Sequence, residues 1–591
     1  RVWKVIVTEK FFELKKLASE QWENLETSYL ARIRIGNGIC GHAAGSQRVL
    51  DSVKDELAKR NLNIAVHEVG CIGLCFAEPL LDIQKPGQPR IFLKNVTPEL
   101  IPGIVDSLEK ENPVNSDQVL GSLGDGKISG VTNFDDLPSW SHQVRIATRN
   151  CGTIDPGNLN HYISQGGYEA LDKALTGFEP QELLDEISKS GLRGRGGAAF
   201  PTGTKLGFLA RTPGDVKYIL VNCEEGDPGA YNDKGLLESD PHTLIEGLII
   251  AAYATGATYG YVFIRHGHDG PIDRTRKAIE DAREAGLLGE KILGTEFSFD
   301  AEVALTGESY VAGEETALME AIEGKRSMPR FRPPFPAQVG LWGKPSNINN
   351  VKTLSYIPEI IRKGGEWFSS IGYGRSKGTA IICMTGDVTL PGMYEVPFGL
   401  TLGQVIEEVA GGVKNGGTVK LLQTGGPLGG VLGPQSLSIT LDFEEMAQAG
   451  AILGSGGIIV GGQDVCPVDL VRNLVAFCQF ESCGKCFPCR LGMTNLLEIL
   501  DRIAGAGGNS VDQQLMESIG RSMTLGSLCG HGQLGFNPVS SALRYFPEEF
   551  RTHIFDRRCP GGQCENLFHK PARTRPMTSE GWYARRDYAH N

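Results

Sequence analysis

Three cysteines in the run ESCGKCFPCR, Cys483, Cys486 and Cys489, stand with two residues between neighbours, and Cys529 follows downstream in GSLCGHG. Three thiolates that close cap three corners of a cubane and a distant fourth closes it, the four-cysteine ligation of a [4Fe–4S] cluster. Zinc also takes four cysteines, but its sites usually pair two separated CxxC units, so three plus one favours iron and sulfide. A second group, Cys466, Cys559 and Cys564 with His553, has the composition of a structural Cys₃His zinc site, with unligated thiols as the alternative. His531, beside Cys529, reads as a supporting or surface histidine.

Four loops carry a different chemistry. GLRGRGGAAFPTGTKLGF offers Gly194 and Gly196 for close backbone approach to a phosphate or ring, with Arg195 and Lys205 as positive charge. A glycine-rich loop is often only a turn, so it needs support from its neighbours. NCEEGDPGAYND supplies Asn222, Glu224, Glu225, Gly226 and Asp227 directly after a strand-like run, and GESYVAGEETAL supplies Tyr310, Gly313, Glu314 and Glu315. Carboxylates in such loops accept hydrogen bonds from ribose hydroxyls. INNVKT adds Asn349, Asn350 and Thr353, and FRPPFPAQVGLWGKP adds a proline-stiffened aromatic segment with Arg332 and Phe335. Together they suit a mononucleotide wrapped by loops, approached by a second, anionic nucleotide.

These loops need several units to position them. The chain has 591 residues and a net charge of −12 from 58 Lys+Arg against 70 Asp+Glu, which excludes a general polyphosphate-backbone binder. Its length suggests about four domains. Residues 1–111 read as a small α/β unit, 112–136 as a polar Gly-rich linker, and 137–377 as a layered α/β domain carrying the four loops. Residues 378–465 read as a β-grasp-like module, 466–564 as a bundle of four short helices, and 565–591 as a tail. The run GLIIAAYATGATYGYVFI reaches the lower length limit of a membrane span, but its Gly, Thr and Tyr residues read better as a buried helix turning into a strand. Fourteen cysteines at these spacings signal metal rather than a disulfide scaffold, and a cytoplasmic setting is the default.

Taken in order, GLRGRGGAAFPTGTK, NCEEGDPGAY, YVAGEETALMEAIEG, PPFPAQVGLWGKPSNINNVKT and ESCGKCFPCR with SLCG resemble the NADH-oxidising flavoprotein subunit of respiratory complex I. GDPGAY and the extra N-terminal domain look more like its relatives in soluble NAD(P)-linked hydrogenases, formate dehydrogenases and electron-bifurcating complexes. The resemblance implies FMN held by Gly194, Arg195, Gly196, Lys205, Asn222, Glu224, Glu225, Tyr310, Gly313, Glu314, Asn349, Asn350 and Thr353. It implies a nicotinamide nucleotide against Phe200, Phe208 and Phe335, with Asp227 and Glu315 close by and Glu315 acting by position and charge. It also implies an SLBB-type β-grasp module and partners: a small [2Fe–2S] thioredoxin-like subunit and a larger iron–sulfur catalytic or ferredoxin-reducing subunit. No nucleic acid and no membrane span enter this reading.

Departures from the family pattern leave four points open. Ala312 stands where the family commonly has Cys, and Arg332 where it often has Lys, which leaves NAD(H) against NADP(H) undecided with NAD(H) the family default. The N-terminal unit resembles a thioredoxin-like [2Fe–2S] domain in which Cys71 and Cys75 are the second ligand pair and Cys40 half of the first, but the expected first ligand is Ile35. Three thiolates do not complete that cluster, so either His42 or another group substitutes or, the favoured reading, the cluster is lost. The tail ENLFHKPARTRPMTSEGWYARRDYAHN lacks cysteine and is expected to lie along a partner. The expected function is an NAD(P)H dehydrogenase (diaphorase) subunit relaying electrons to partner subunits, with flavin-based bifurcation left open. The alternative is a structural subunit that kept the fold and lost its cofactors.

Overall fold

The computed structural model describes residues 8–109, 117–307 and 309–564. The tail expected to lie along a partner, 565–591, falls outside the described residues.

The N-terminal unit opens with α1 (Glu9–Thr27), capped by the Thr8 hydroxyl, which accepts from Phe11 N at 3.3 Å. Phe11 and Ala18 of α1 pack into the core of the second domain, tying the two units together. Then come β1 (Ala31–Gly36), α2 (Ser46–Arg60), β2 (Ile64–Val69), β3 (Leu81–Gln84), β4 (Arg90–Leu93), α3 (Ile101–Glu109) and β5 (Val119–Leu123). The sheet runs β2-β1-β3-β4-β5, with β1 and β2 parallel and the remaining pairs antiparallel. β5 corrects the linker reading of 112–136. VLGSL pairs with β4 as an edge strand because Gly121, without a side chain, lets the Phe134 ring close to 2.7 Å of where a Cβ would stand.

In the second domain α4 (Thr202–Arg211) leads to β6 (Tyr218–Cys223), α5 (Asn232–Ser239), α6 (Pro241–Thr255), β7 (Tyr259–Arg265), α7 (Asp269–Glu284), β8 (Asp300–Thr306), α8 (Glu315–Ile322), β9 (Ser346–Asn350) and α9 (Val351–Ser355). All strands are parallel, in the order β8-β7-β6-β9. Helix α6 is buried on every side except at Tyr253, which accounts for the long apolar run: both helix and strand are core. Among the described residues no helix is long and apolar enough to cross a membrane.

A mixed sheet of β10 (Thr379–Gly386), β11 (Gly392–Pro397), β12 (Leu421–Thr424), β13 (Gly430–Leu432) and β14 (Gly457–Gly461) follows, ordered β11-β10-β14-β12-β13. Buried Glu395 of β11 docks it on the second domain by accepting from Ile146, Ala147 and Thr148 N at 2.9–3.1 Å. The last unit packs α10 (Pro467–Phe480), α11 (Phe487–Ala504), α12 (Asp512–Gly526), α13 (Asn537–Tyr545) and α14 (Pro547–Ile554). The sequence reading anticipates four of these and misses α14, which Pro547 starts afresh and which carries His553.

Candidate functional site

In an open parallel sheet, ligands bind beyond the carboxyl ends of the strands, where the strand order reverses. Here it reverses at β6: β7 and β8 lie to one side and β9 to the other. The loops after β6, β8 and β9 are the three motifs NCEEGDPGAYND, GESYVAGEETAL and the end of INNVKT, so the topology alone brings them to one edge. The glycine-rich loop joins them there. Thr353 Oγ1 accepts from Arg195 N at 2.8 Å, and a Cβ at Gly196 would come within 3.0 Å of Asn350 Cβ.

Lys205 Nζ bonds Glu315 and donates to Ile348 O at 2.6 Å, and Arg332 stands 3.8 Å from both Glu314 and Glu315. This partly exposed cluster of two cations and two carboxylates marks the mouth of the site. Beside it, Phe200 and Phe208 are each 45% exposed with ring centroids 6.2 Å apart, a platform that no core contact covers. Phe335 is exposed as well, but makes no ring contact with either among the described residues.

Several expected ligands also hold the loops together. Arg195 is buried, and its guanidinium donates to the carbonyls of Arg193, Thr379 and Lys377 at 2.6–3.1 Å. Burial pushes it down to about 10, and it locks the loop to β10 rather than offering charge to a phosphate. Glu225 accepts from Asp233 and Lys234 N, both at 2.8 Å, at the start of α5, and burial, with Asp233 beside it, pushes its carboxyl up to about 7. Glu314 caps α8 through Thr316 and Ala317 N at 2.9 Å. Asn222 Nδ2 donates to Gly313 O at 2.8 Å, and Asn350 Oδ1 accepts from Lys352 N at 3.0 Å. Buried Asn349 bonds Asn347. Burial pushes Glu224 well up although Arg265 pairs with it at 2.7 Å. Gly226 and Gly313 make room for that carboxylate: a Cβ at Gly313 would meet Glu224 Oε2 at 3.1 Å.

Two buried residues escaped the sequence reading although both lie inside quoted motifs. Lys352 Nζ donates to Asn232 Oδ1 at 2.6 Å and Ser455 O at 2.9 Å, and pairs with Asp233 at 3.1 Å. The signal was a lysine in the otherwise uncharged INNVKT. Together Lys352 and Asp233 hold α5 against α9 beneath the loops.

Asp227 links this edge to the helical unit. Its carboxylate accepts from Tyr310 Oη at 2.6 Å and Ser455 Oγ at 2.7 Å. The Tyr310 ring lies edge-on to Phe477 and His531, and Val311 lines the same cavity as Cys483, Cys486, Cys489 and Cys529. Cys486 precedes α11, Cys489 sits in its first turn, and Cys529 precedes the short helix Gly530–Gln533. Burial pushes Cys489 up to about 12 and Cys529 to about 11, so these thiols give thiolates only to a metal. His531 is buried rather than exposed, and its Nε2 meets Cys478 O at 2.8 Å.

Two sets draw their ligand atoms within 4.8 Å of one another among the described residues: Cys466, His553, Cys559 and Cys564, and Cys40, Cys71 and Cys75. The Cys483 quartet is not one of them, as suits an object larger than one ion. In the Cys₃His set, His553 Nε2 lies 3.4 Å from both Cys466 and Cys564 Sγ, which are 3.7 Å apart. A tetrahedral zinc with sulfur at about 2.3 Å sets edges of about 3.8 Å. His553 Nδ1 meets Glu549 O at 2.6 Å, which fixes the ring with Nε2 free for a metal. In the N-terminal unit Ile35 is fully buried in the strand core and His42 is exposed, so neither joins the three cysteines.

The residues fit the groups in question. The glycines, Lys205 and the open aromatic platform suit a flavin nucleotide and its nucleotide partner, and four converging thiols around one cavity suit an iron–sulfur cubane.

Residues 187–359 match the Nuo51 FMN-binding domain, 469–553 the NADH-ubiquinone oxidoreductase-F iron-sulfur binding region, and 381–432 the SLBB domain. The HndC subunit of the NADP-reducing hydrogenase of Solidesulfovibrio fructosivorans is 46% identical over 425 residues, 72% of this chain and 86% of the relative. A subunit of the NADH-quinone oxidoreductase of Rhizobium meliloti is 41% identical over 415 residues, 70% of this chain and 99% of the relative. A chain of the NAD⁺-reducing [NiFe]-hydrogenase in its H₂-reduced state superimposes with a TM-score of 0.62 at 25% identity, covering 98% of this chain and 94% of that one.

Proposed function

Because the chain belongs to the family of NADH-oxidising flavoprotein subunits found in NADH-quinone oxidoreductases and related hydrogenases, we propose that it takes electrons from, or returns them to, a nicotinamide nucleotide at the carboxyl edge of its parallel sheet. It is an oxidoreductase subunit with an FMN-binding domain and a [4Fe–4S]-binding region. FMN, when bound, supplies the conversion between a hydride and single electrons. The chain's own residues do the positioning. The glycine loop admits the isoalloxazine and phosphate with Lys205 as cation, Phe200 and Phe208 take the adenine of the second nucleotide, and Glu315 aligns the nicotinamide end while paired to Lys205.

The observation that carries this reading is Tyr310: one side chain spans from Asp227, in the loop after β6, to His531 beside Cys529. It supports an exit for electrons through the cluster that Cys483, Cys486, Cys489 and Cys529 would hold. Cys466, His553, Cys559 and Cys564 bind zinc as a staple between the start of α10 and the end of the helical unit. The receiving partners are iron–sulfur subunits, as the relatives are themselves subunits of larger enzymes. None of the fourteen cysteines is joined in a disulfide, and a reducing compartment such as the cytoplasm is the proposed setting. Flavin, iron and sulfide analysis of the anaerobically purified chain tests the reading: one FMN and about four irons are expected, and a colourless chain would refute it.

A further inference from the structure

The cysteines of the N-terminal unit form a tighter group than the two-iron cluster their spacing resembles. Cys40 Sγ lies 3.5 Å from Cys71 Sγ and 3.3 Å from Cys75 Sγ, and Cys71 and Cys75 are 3.8 Å apart. A two-iron cluster holds its cysteine sulfurs as two pairs, one on each iron, with bridging sulfides between. One sulfur of the first pair would then stand away from both sulfurs of the second. Here Cys40 touches both, and the position that would complete its pair, Ile35, is packed in the β1 core with Leu50 and Leu81. Three sulfurs at 3.3–3.8 Å match the edges of a tetrahedron around a single ion, about 3.8 Å for a metal–sulfur bond of about 2.3 Å.

A buried carboxyl of the same unit, Glu78, is the candidate for a fourth donor, although its oxygens fall outside the set of ligand atoms within 4.8 Å of one another. Glu78 is buried, its Oε2 accepts from Leu80 N at 2.8 Å, and its Oε1 has no hydrogen-bond partner. Gly36 leaves the space for it, since a Cβ there would come within 3.1 Å of Glu78 Oε1. A buried carboxylate oxygen without a hydrogen-bond partner, in the same unit as three clustered thiols, has the chemistry of an oxygen ligand.

We infer that Cys40, Cys71 and Cys75 bind one zinc ion in a mononuclear site that replaces an electron-carrying cluster, with the Glu78 carboxylate turning in as the fourth ligand. Zinc has no redox chemistry, so this unit is off the electron path and its metal is structural. The location says what is held. The three cysteines line a cavity together with Gly226, Asp227, Tyr231 and Lys234 of the second domain, and Ile39 N, next to Cys40, donates to Glu238 Oε2 of α5 at 2.9 Å. The ion therefore fixes the cysteine loops where they abut the loop after β6. The inference is independent of the flavin reading, because its donors all belong to the N-terminal unit.

The test is metal analysis and intact mass of the full chain purified anaerobically. Two zinc ions per chain are expected, falling to one in the Cys40→Ser/Cys71→Ser double variant, with flavin and iron unchanged. Two irons above the cubane's complement, a mass two protons short from a Cys40 disulfide, or zinc unchanged in the double variant would overturn the proposal. Should that variant not fold, cobalt added to the metal-depleted His553→Ala chain, which lacks the other zinc site, gives a second readout. One tetrahedral thiolate–cobalt absorption is expected, at least about tenfold weaker in affinity when Glu78→Gln is added, and no such absorption would refute the site.

Discussion

Tyr310 stands edge-on to His531, ring centroids 5.8 Å apart, while its hydroxyl donates to Asp227 Oδ1 at 2.6 Å. One residue of the loop after β8 thus touches the loop after β6 and the neighbour of a cluster cysteine. Tyr310→Phe keeps the ring and deprives half-buried Asp227 of one of its two donors, at a cost of about 1 kcal/mol. Tyr310→Ala also removes a half-buried ring, at a cost below the ~3–5 kcal/mol of truncating a fully buried aromatic. The expected outcome is a lowered Tm in both variants, with slower cluster reduction only in Tyr310→Ala, measured by stopped-flow absorbance. Equal cluster-reduction rates in wild type and Tyr310→Ala would remove the residue from the electron path.

Glu315 sits in the first turn of α8 and pairs with Lys205 and Arg332. Glu315→Gln keeps the shape and removes the charge. NADH oxidation is expected to fall roughly tenfold, about 1.4 kcal/mol of lost alignment, with FMN content unchanged. Loss of FMN in that variant would show that Glu315 holds the flavin rather than the nicotinamide.

His553 is fully buried, with Nε2 toward Cys466 and Cys564 and Nδ1 on Glu549 O. His553→Ala is expected to lower the zinc content by one ion per chain and to lower the Tm, because the staple between residue 466 and the end of the helical unit is broken. Iron and flavin contents stay as in wild type. Unchanged zinc content would contradict the assignment.

Glu246 on α6 is buried and accepts from Tyr162 Oη at 2.5 Å, Tyr168 N at 2.9 Å and Leu171 N at 3.0 Å. Burial pushes its carboxyl up to about 7, above its ordinary 4.5. The folded chain therefore holds this proton more tightly than the unfolded chain, and stability from this group is full at low pH and lost as pH rises toward the folded value. Relative to Glu246→Gln, wild type is expected to lose on the order of 3 kcal/mol between about pH 5 and pH 8. A difference in Tm between the two proteins that does not change with pH would refute this.

Much of the site was legible in the chain itself. Parallel strands deliver their following loops to one edge, so NCEEGDPGAYND, GESYVAGEETAL and INNVKT had to meet once each followed a strand. What each side chain does there was less legible. Glu225, Glu314 and Asn350 sit at helix starts and are consumed by unpaired backbone donors, a demand set by exact helix boundaries that a motif does not reveal. Arg195 reads as a free cation in GLRGRGG, yet carbonyls of the neighbouring module surround it, a contact made by residues nearly two hundred positions away. The strand VLGSL hid in polar, glycine-rich text because an edge strand needs only one buried face. Likewise the cysteine spacing around Cys40 suggested a degraded cluster but not that the three sulfurs would sit 3.3–3.8 Å from one another.

In the proposed function, hydride chemistry at the sheet edge is wired to the Cys483, Cys486, Cys489 and Cys529 cluster within this one chain. Anaerobic titration of the full, cofactor-loaded chain with NADH, followed by visible absorbance and by low-temperature electron paramagnetic resonance on the same samples, tests it directly. Flavin absorbance is expected to bleach and a reduced [4Fe–4S] signal to grow, with that signal lost in a Cys486→Ser variant that still bleaches. Flavin bleaching with no iron–sulfur signal in the wild-type chain would contradict it.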